Sequence, residues 1–370
     1  MKQLLSNIKR MPVDTWNWFG VNNKDITLYA HGNEDAERCF GNTQTFHDSH
    51  LEHSFEEFQP HNKKYFFTNE KTDYFIDENK NKCRYFKIPK GHIENIPIIL
   101  SYRLGENSSL TDDTVIEAEE GSSVTFIIKY ISERGNKSHH CGRTRIFAKK
   151  NSSVKIITAQ LLGEETTHAD ITEGIAGEGA QIHVIYAEMG AADTVSSCNL
   201  VLEGNESNAN LDILYLGNST RSLDISTRIE YKGKKSLSNI RANGVMLNKS
   251  QKILRDTIDF ISGSSGSKGR EEENVLMLDS NVKNVSVPIL LCGEDDVEGE
   301  HAATSGRPSD SLMFYLMNRG LSEKEAEKLL AEAAFASVLE AVPDKYTREE
   351  ILEVLHSSIL KEGKTYEQIH

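Results

Sequence analysis

The chain has 370 residues, long enough for one large core with smaller attachments, and carries a formal net charge of −14 with an isoelectric point near 5.5. Binding a phosphate backbone needs a surplus of Lys and Arg on one face, so nucleic acid is excluded as the expected partner. No stretch reaches membrane-spanning length, and the opening residues show only a short apolar run with Lys9 and Arg10 behind it. No signal peptide or membrane insertion is therefore expected, and the protein is placed in the cytoplasm.

Residues 1–95 are polar, rich in Asn, His, Phe and Lys, and show no sustained hydrophobic period, which predicts a separate, irregular α+β lobe. From about Ile98 to Pro288 the chain repeats a loose unit, a polar turn followed by a short strand of alternating apolar and polar residues. The turns fall at Gly105–Ser108, Glu120–Ser123, Lys150–Ser153, Gly177–Gly179, Gly204–Ser207, Gly217–Ser219, Lys232–Lys234, Asn248–Ser250 and Gly263–Ser265. Their spacing of roughly 15 or roughly 30 residues marks an internal repeat. In the strand Leu223–Ile229, the period places Leu223, Ile225 and Ile229 inward and Asp224, Ser226 and Arg228 in water. Val124, Phe126, Ile128 and Tyr130 repeat the pattern, as do Ile182, Val184 and Tyr186, and Leu211, Ile213 and Tyr215. Such strands fit a sandwich, a barrel or a solenoid; the shared turn composition favours stacked rungs, hence a mainly β solenoid over residues 96–303.

From about Ser309 the period becomes helical. Ser309 or Asp310 can cap a helix bearing Leu312, Met313, Phe314, Leu316 and Met317, with Gly320 at its end. Ser322 with Glu325, and Thr347 with Glu350, read as capping boxes for two more helices, and Pro343 ends the second of the three. Residues 304–370 are thus expected to be a helical domain whose apolar stripes cover the end of the solenoid or a partner.

Catalytic motifs are few. There is no GxSxG, HExxH or Walker A sequence, and the glycine-rich Gly263–Gly269 lacks the GK[ST] ending and leads into no helix, so it reads as a turn. A nucleotide site for any ATP-driven process would have to sit on a partner. The cysteines Cys39, Cys83, Cys141, Cys198 and Cys292 are scattered and form no CxxC pair, which predicts free thiols. In His139-His140-Cys141, neighbours on a strand point to opposite faces, so at most two can meet one ion; the alternative is a polar loop ending in a buried thiol. In the segment Cys292–His301, a cysteine after the apolar run Ile289-Leu290-Leu291 leads through an acidic stretch to a histidine. Metal chemistry and plain packing with a solvated acidic face both fit it.

The stretches Ser238–Val245, Arg255–Phe260 and Glu271–Asp279 resemble the SufB/SufD family of iron–sulfur cluster assembly proteins. Val287–Thr304, continuing into Phe314–Ser322, resembles the family's signature in order and spacing, and Pro12–Trp18 resembles its N-terminal Pro-x-x-Thr-Trp element. The resemblance implies a right-handed parallel β-helix with flanking helical segments. It also implies docking of the C-terminal helical segment, through Phe314, Tyr315, Leu316 and Arg319, onto a SufC-type ABC ATPase. Pairing through the β-helix with a second SufB/SufD-like subunit, as a homodimer or heterodimer, would form a transient iron–sulfur cluster at the junction. His301 occupies the family's motif histidine and Glu300 matches an acidic residue beside it; the SufB cluster cysteine falls near Val282 and a second SufB glutamate is replaced by Ala302. The chain is thereby closer to a SufD-like or a minimal SufB-like member, with Cys292 as the thiolate that could take over the missing ligand.

The expectation is a scaffold subunit and not an enzyme, with Cys292, Glu300 and His301 at the cluster. Two alternatives stand beside it: a β-helix carbohydrate-active enzyme, since that fold often carries carboxylate-lined grooves, and a structural paralogue that binds the ATPase and no cluster.

Overall fold

Strands of period two separated by tight turns can bury one face only by stacking, and here they stack in parallel. A computed structural model describes residues 2–13, 21–29, 39–42, 51–58, 70–133 and 135–360. It is 53% strand, wound into a parallel β-solenoid of about 8 turns with a C-terminal helical segment. One wall consists of β5 (Lys82–Ile88), β7 (Ser109–Ala118), β9 (His139–Ala148), β11 (Thr167–Ala176), β13 (Asp193–Leu202), β15 (Ser222–Tyr231), β17 (Gln251–Phe260) and β19 (Lys283–Cys292). The facing wall consists of β6 (Ile98–Leu104), β8 (Ser123–Ser132), β10 (Ser153–Leu161), β12 (Gln181–Glu188), β14 (Asn208–Gly217), β16 (Leu237–Met246), β18 (Ser267–Met277) and β20 (Val297–Gly306). The chain alternates between the walls, so each rung is two strands and two turns.

Asn107, Asn151 and Asn248 sit at these turns with φ of 54°, 55° and 56°, a left-handed conformation that Asn tolerates better than most side chains. Ion pairs climb the outside one rung at a time, as in Lys90 to Glu120, Lys149 to Glu119 and Lys268 to Glu298, each 30 residues apart. At the first end, β3 (Cys39–Asn42) and β4 (Glu52–His53) pair antiparallel with β6 and β5 and close both edges. At the other end β19 and β20 are the last strands of their sheets among the described residues.

The lumen is the main core. Val124, Phe126, Ile128 and Tyr130, Ile182, Val184 and Tyr186, Leu211, Ile213 and Tyr215, and Leu223, Ile225 and Ile229 all lie buried in it, as their period predicts. The outward residues depart from expectation. Asp224 is 1% exposed and Ser226 8%, because β1 (Lys2–Lys9), β2 (Asn23–Tyr29) and α1 (Glu70–Asn79) lie over the outer face of the β7–β17 wall. Leu5, Ile8, Ile26, Leu28 and Phe75 pack there on Ala169, Ile171 and Val195. A sheet covered on both faces loses the apolar–polar alternation that a half-solvated strand shows.

The C-terminal helices correct a second expectation. They cover the flank of the solenoid and not its end: Phe335 and Val338 of α3 (Glu323–Leu339) and Ile351 and Leu355 of α4 (Lys345–Leu360) share a core with Ile157, Ile185, Leu214 and Val245 from the outer face of the facing wall. Ser322 and Glu325 form the predicted capping box. For α4 the cap is Asp344, whose Oδ2 accepts from the Thr347 backbone N–H and hydroxyl, both at 2.7 Å; Thr347 is already inside the helix. A carboxylate three residues before Thr347 captures the first-turn donors before Thr347 can act as a cap.

Candidate functional site

The last rung is built differently from those beneath it. Parallel register carries side-chain direction from one strand to the next, so the buried residues below show where each group on β19 and β20 points. Cys292 stands in register with Phe260, a core residue, and His301 with Glu271, which follows the core residue Ile240. Both groups therefore belong to the lumen side, yet both are exposed, because no further rung among the described residues covers them. Glu300 stands in register with exposed Arg270 and points to the opposite face. The rung thus places Cys292 and His301 on one side and separates Glu300 from them. Val282 is partly buried against the lumen core.

Beneath this mouth the lumen turns from apolar to ionisable. Lys252 Nζ lies 2.5 Å from Glu273 Oε1, which also accepts from Tyr215 Oη at 2.7 Å, and Ser286 donates to Glu273 Oε2. Asp256 Oδ1 accepts from Thr227 at 2.6 Å. Burial, then the neighbouring Asp256, pushes Glu271 up to about 9, and burial pushes Asp256 up to about 6. Lys252 is lowered by burial against the pull of Glu273. Glu271 Oε2 is buried with no hydrogen-bond partner. Sequence reasoning assigned these residues no site role, since Arg255–Phe260 and Glu271–Asp279 entered only as stretches of family resemblance; the usable signal was their position one rung below the Cys292–His301 segment.

Among the described residues no three His, Cys, Asp or Glu side chains gather into a ready metal site. Cys83, Cys141, Cys198 and Cys292 are free thiols. In His139-His140-Cys141, on β9 and not in a loop, the faces alternate as expected: His139 stacks on Tyr29 outside, His140 enters the lumen, and Cys141 packs under the N-terminal strands. The Thr15-Trp16 part of the N-terminal element lies outside the described residues.

Directly after β20 comes α2 (Asp310–Asn318), capped by Ser309, whose side chain accepts from the Leu312 N–H. Its continuation is stopped at Gly320, with φ of 95°. No residue of α2 is buried: Phe314 is 68% exposed, Tyr315 52% and Met317 47%, while Leu316 is half-buried. Arg319 lies 5.0 Å from the Tyr315 ring centroid. No helix among the described residues is long and apolar enough to cross a membrane.

Fold and open end define a β-solenoid that presents a thiol and an imidazole on its last rung and an uncovered apolar helix directly after it. The family model for the SUF system FeS cluster assembly, SufBD core domain, matches residues 102–334, more than half of the chain. The chain belongs to the SufBD family of iron–sulfur cluster assembly proteins. It is 27% identical over 296 residues to the iron-sulfur cluster assembly protein SufD of Bacillus subtilis strain 168, covering 77% of this chain and 68% of the relative. It is 22% identical over 264 residues to an iron-sulfur cluster assembly SufBD family protein of Staphylococcus epidermidis, covering 71% of this chain and 57% of the relative. A chloroplastic family protein of Arabidopsis thaliana, ABCI8, is 23% identical over 272 residues, of which this chain spans 49% of the length. The chain thus spans about two thirds or less of these relatives.

Proposed function

We propose that the chain is a cytoplasmic, non-catalytic scaffold subunit of a SUF-type complex, which docks a SufC-type ABC ATPase through α2 and pairs through β19 and β20 with a second SufB/SufD-like subunit. The observation that carries this reading is α2 itself. A nine-residue helix with no buried residue, showing Phe314, Tyr315 and Met317 to solvent, gains by covering that face with a partner. Phe314, Tyr315, Leu316 and Arg319 are the contact residues in this reading.

Two further features support the pairing. Among the described residues, the last strands of both walls pair on one side only and offer their outer backbone donors and acceptors to another sheet edge. Cys292 and His301 stand at that edge as a partial ligand set, which a partner's residues would complete around a nascent iron–sulfur cluster, with Glu300 on the outer face beside the junction. The cluster is cargo in this reading, formed and passed on.

The test is anaerobic purification with and without the neighbouring SufC-type ATPase, followed by light scattering and by iron and acid-labile sulfide analysis. A stable complex carrying both elements is the expected result. A complex without iron would reduce the chain to a structural paralogue, and the absence of any complex would overturn the reading.

A further inference from the structure

Between β7 and β13 one side of the lumen is polar, far from the open end. In register, Leu110, His140, His168 and Thr194 form one inward column, and Asp112, Gly142, Asp170 and Ser196 the next. Fully buried groups from these columns and the facing wall connect end to end. Tyr130 Oη donates to Asp112 Oδ2 at 3.1 Å, and Asp112 Oδ1 is 2.7 Å from His140 Nε2. His140 Nδ1 is 2.8 Å from His168 Nδ1. His168 Nε2 stands 3.8 Å from Glu188 Oε2, and Ser196 donates to Glu188 Oε1 at 2.5 Å. Gly142 makes room: a Cβ there would lie 2.8 Å from the His140 ring and 2.9 Å from Asp112 Oδ1.

The contact between the two Nδ1 atoms constrains the whole chain. Two neutral imidazoles meeting nitrogen to nitrogen need one N–H between them, since two bare nitrogens repel and two N–H groups clash. If His140 holds that proton, its Nε2 is bare and requires a protonated Asp112, while His168 carries its proton on Nε2 toward an ionised Glu188. If His168 holds it, every assignment reverses. We propose that this chain is a proton relay inside the solenoid, in which one proton resides on Asp112 or on Glu188 and both histidines exchange tautomer when it moves.

The step balances without any oxidant or co-reactant. Asp112 gives its proton to His140 Nε2, His140 Nδ1 gives its proton to His168 Nδ1, and His168 Nε2 gives its proton to Glu188 Oε2. Both imidazoles begin and end neutral, and one negative charge passes from Glu188 to Asp112. The 3.8 Å separation is too long for a direct hydrogen bond, and His168 Nε2 and Glu188 Oε2 have no other hydrogen-bond partner, so closing that gap, directly or through one water, gates the relay.

The surroundings are compatible. Burial pushes Asp112 up to about 8 and Glu188 up to about 7, and it lowers His140 to about 3 and His168 well below its ordinary value. Asp170, Tyr102, Tyr130, Tyr186, Cys141 and Cys198 are all raised, first by burial, and so favour their neutral forms. Arg84 and Asp113 act on Asp112 with opposite signs, and Glu173 acts on Cys198.

The experiment is NMR of the full chain with 15N-labelled histidine at neutral pH, reading the tautomer populations of each ring. The fraction of His140 protonated on Nε2 and the fraction of His168 protonated on Nδ1 are expected to be equal, with no imidazolium form near neutral pH. Glu188→Gln should shift the tautomer balance of His140, which it does not touch, as well as that of His168. Should that variant fail to fold, Ser196→Ala, which removes a hydrogen bond to the Glu188 carboxylate, should move both rings together toward the state with the proton on Glu188, His140 protonated on Nε2 and His168 on Nδ1. Unequal fractions on the two rings, or a Glu188→Gln or Ser196→Ala response confined to His168, would each overturn the relay.

Discussion

Arg10 donates through Nε to Asp224 Oδ1 at 2.9 Å, joining the N-terminal hairpin to the outer face of β15 across 214 residues of sequence. Arg255 holds the same carboxylate from β17, with Nη1 to Oδ1 at 2.7 Å and Nη2 to Oδ2 at 3.1 Å. Although burial opposes ionisation, the two guanidinium groups keep Asp224 below the usual carboxylate range. Asp224→Asn keeps the shape and leaves both cations uncompensated in a buried site. The expected loss is about 3–5 kcal/mol, the cost of breaking a buried ion pair, read from denaturant melts. A loss under about 1 kcal/mol, in the range of a surface pair, would show that solvent reaches this contact.

Phe335 is fully buried between α3 and the outer face of the solenoid. Phe335→Ala removes a large side chain from a core that can relax only partly, and the expected cost is about 3–5 kcal/mol. Because the helices cover a flank, far-ultraviolet circular dichroism should show the helical signal melting before the β signal in the variant. Loss of both signals in one step would mean that the solenoid depends on the helices for its own stability.

The walls of the solenoid were legible because inward residues keep period two and the turns carry Asn and Gly. The outward residues were not. Asp224 reads as a solvent-facing residue until Arg10 is brought over it, and the strand's own sequence holds no trace of that cover. The lumen relay was hidden for a related reason: Asp112 and His140, and His140 and His168, lie 28 residues apart, so only rung spacing links them. Cys292 and His301 were singled out as a thiol and an imidazole in one segment, His301 also by family resemblance, whereas Glu271, Glu273 and Lys252 needed the register.

Stability should fall as pH rises across the range set by the mouth carboxyls. Glu271 lies near 4.5 when unfolded and is pushed up to about 9 in the fold, first by burial and then by Asp256, so the native state keeps a proton that the unfolded state gives up. Its contribution is complete below pH 4.5 and is lost as pH climbs toward 9. Asp256, raised to about 6 by burial, adds the same sign at lower pH. Thermal melts from pH 5 to 9 should show this decline, and Glu271→Gln should flatten it. An unchanged slope in the variant would place the titration elsewhere.

Phe314→Asp tests the proposed ATPase contact. The side chain is 68% exposed and no residue of α2 is buried, so the melting temperature should hold while binding to a SufC-type ATPase weakens at least tenfold, about 1.4 kcal/mol. Leu316→Asp, at a half-buried position, should cost both binding and some stability. Binding retained in both variants would move the contact off this helix.

His301 separates the proposed cluster role from a structural one. It is exposed on the last strand, above Glu271, and no core residue rests on it, so His301→Ala should leave the melting temperature within about 1 °C, as for a surface substitution worth a few tenths of a kcal/mol. If its imidazole is a ligand, iron and acid-labile sulfide in the anaerobically assembled complex should fall together. Cys292→Ser should do the same, because Cys292 shares the lumen side of the rung with His301, while Glu300→Gln, on the opposite face, should retain more of both elements. A complex that loads iron and sulfide equally well in all three variants would show that this chain lends the partner a surface and no ligand.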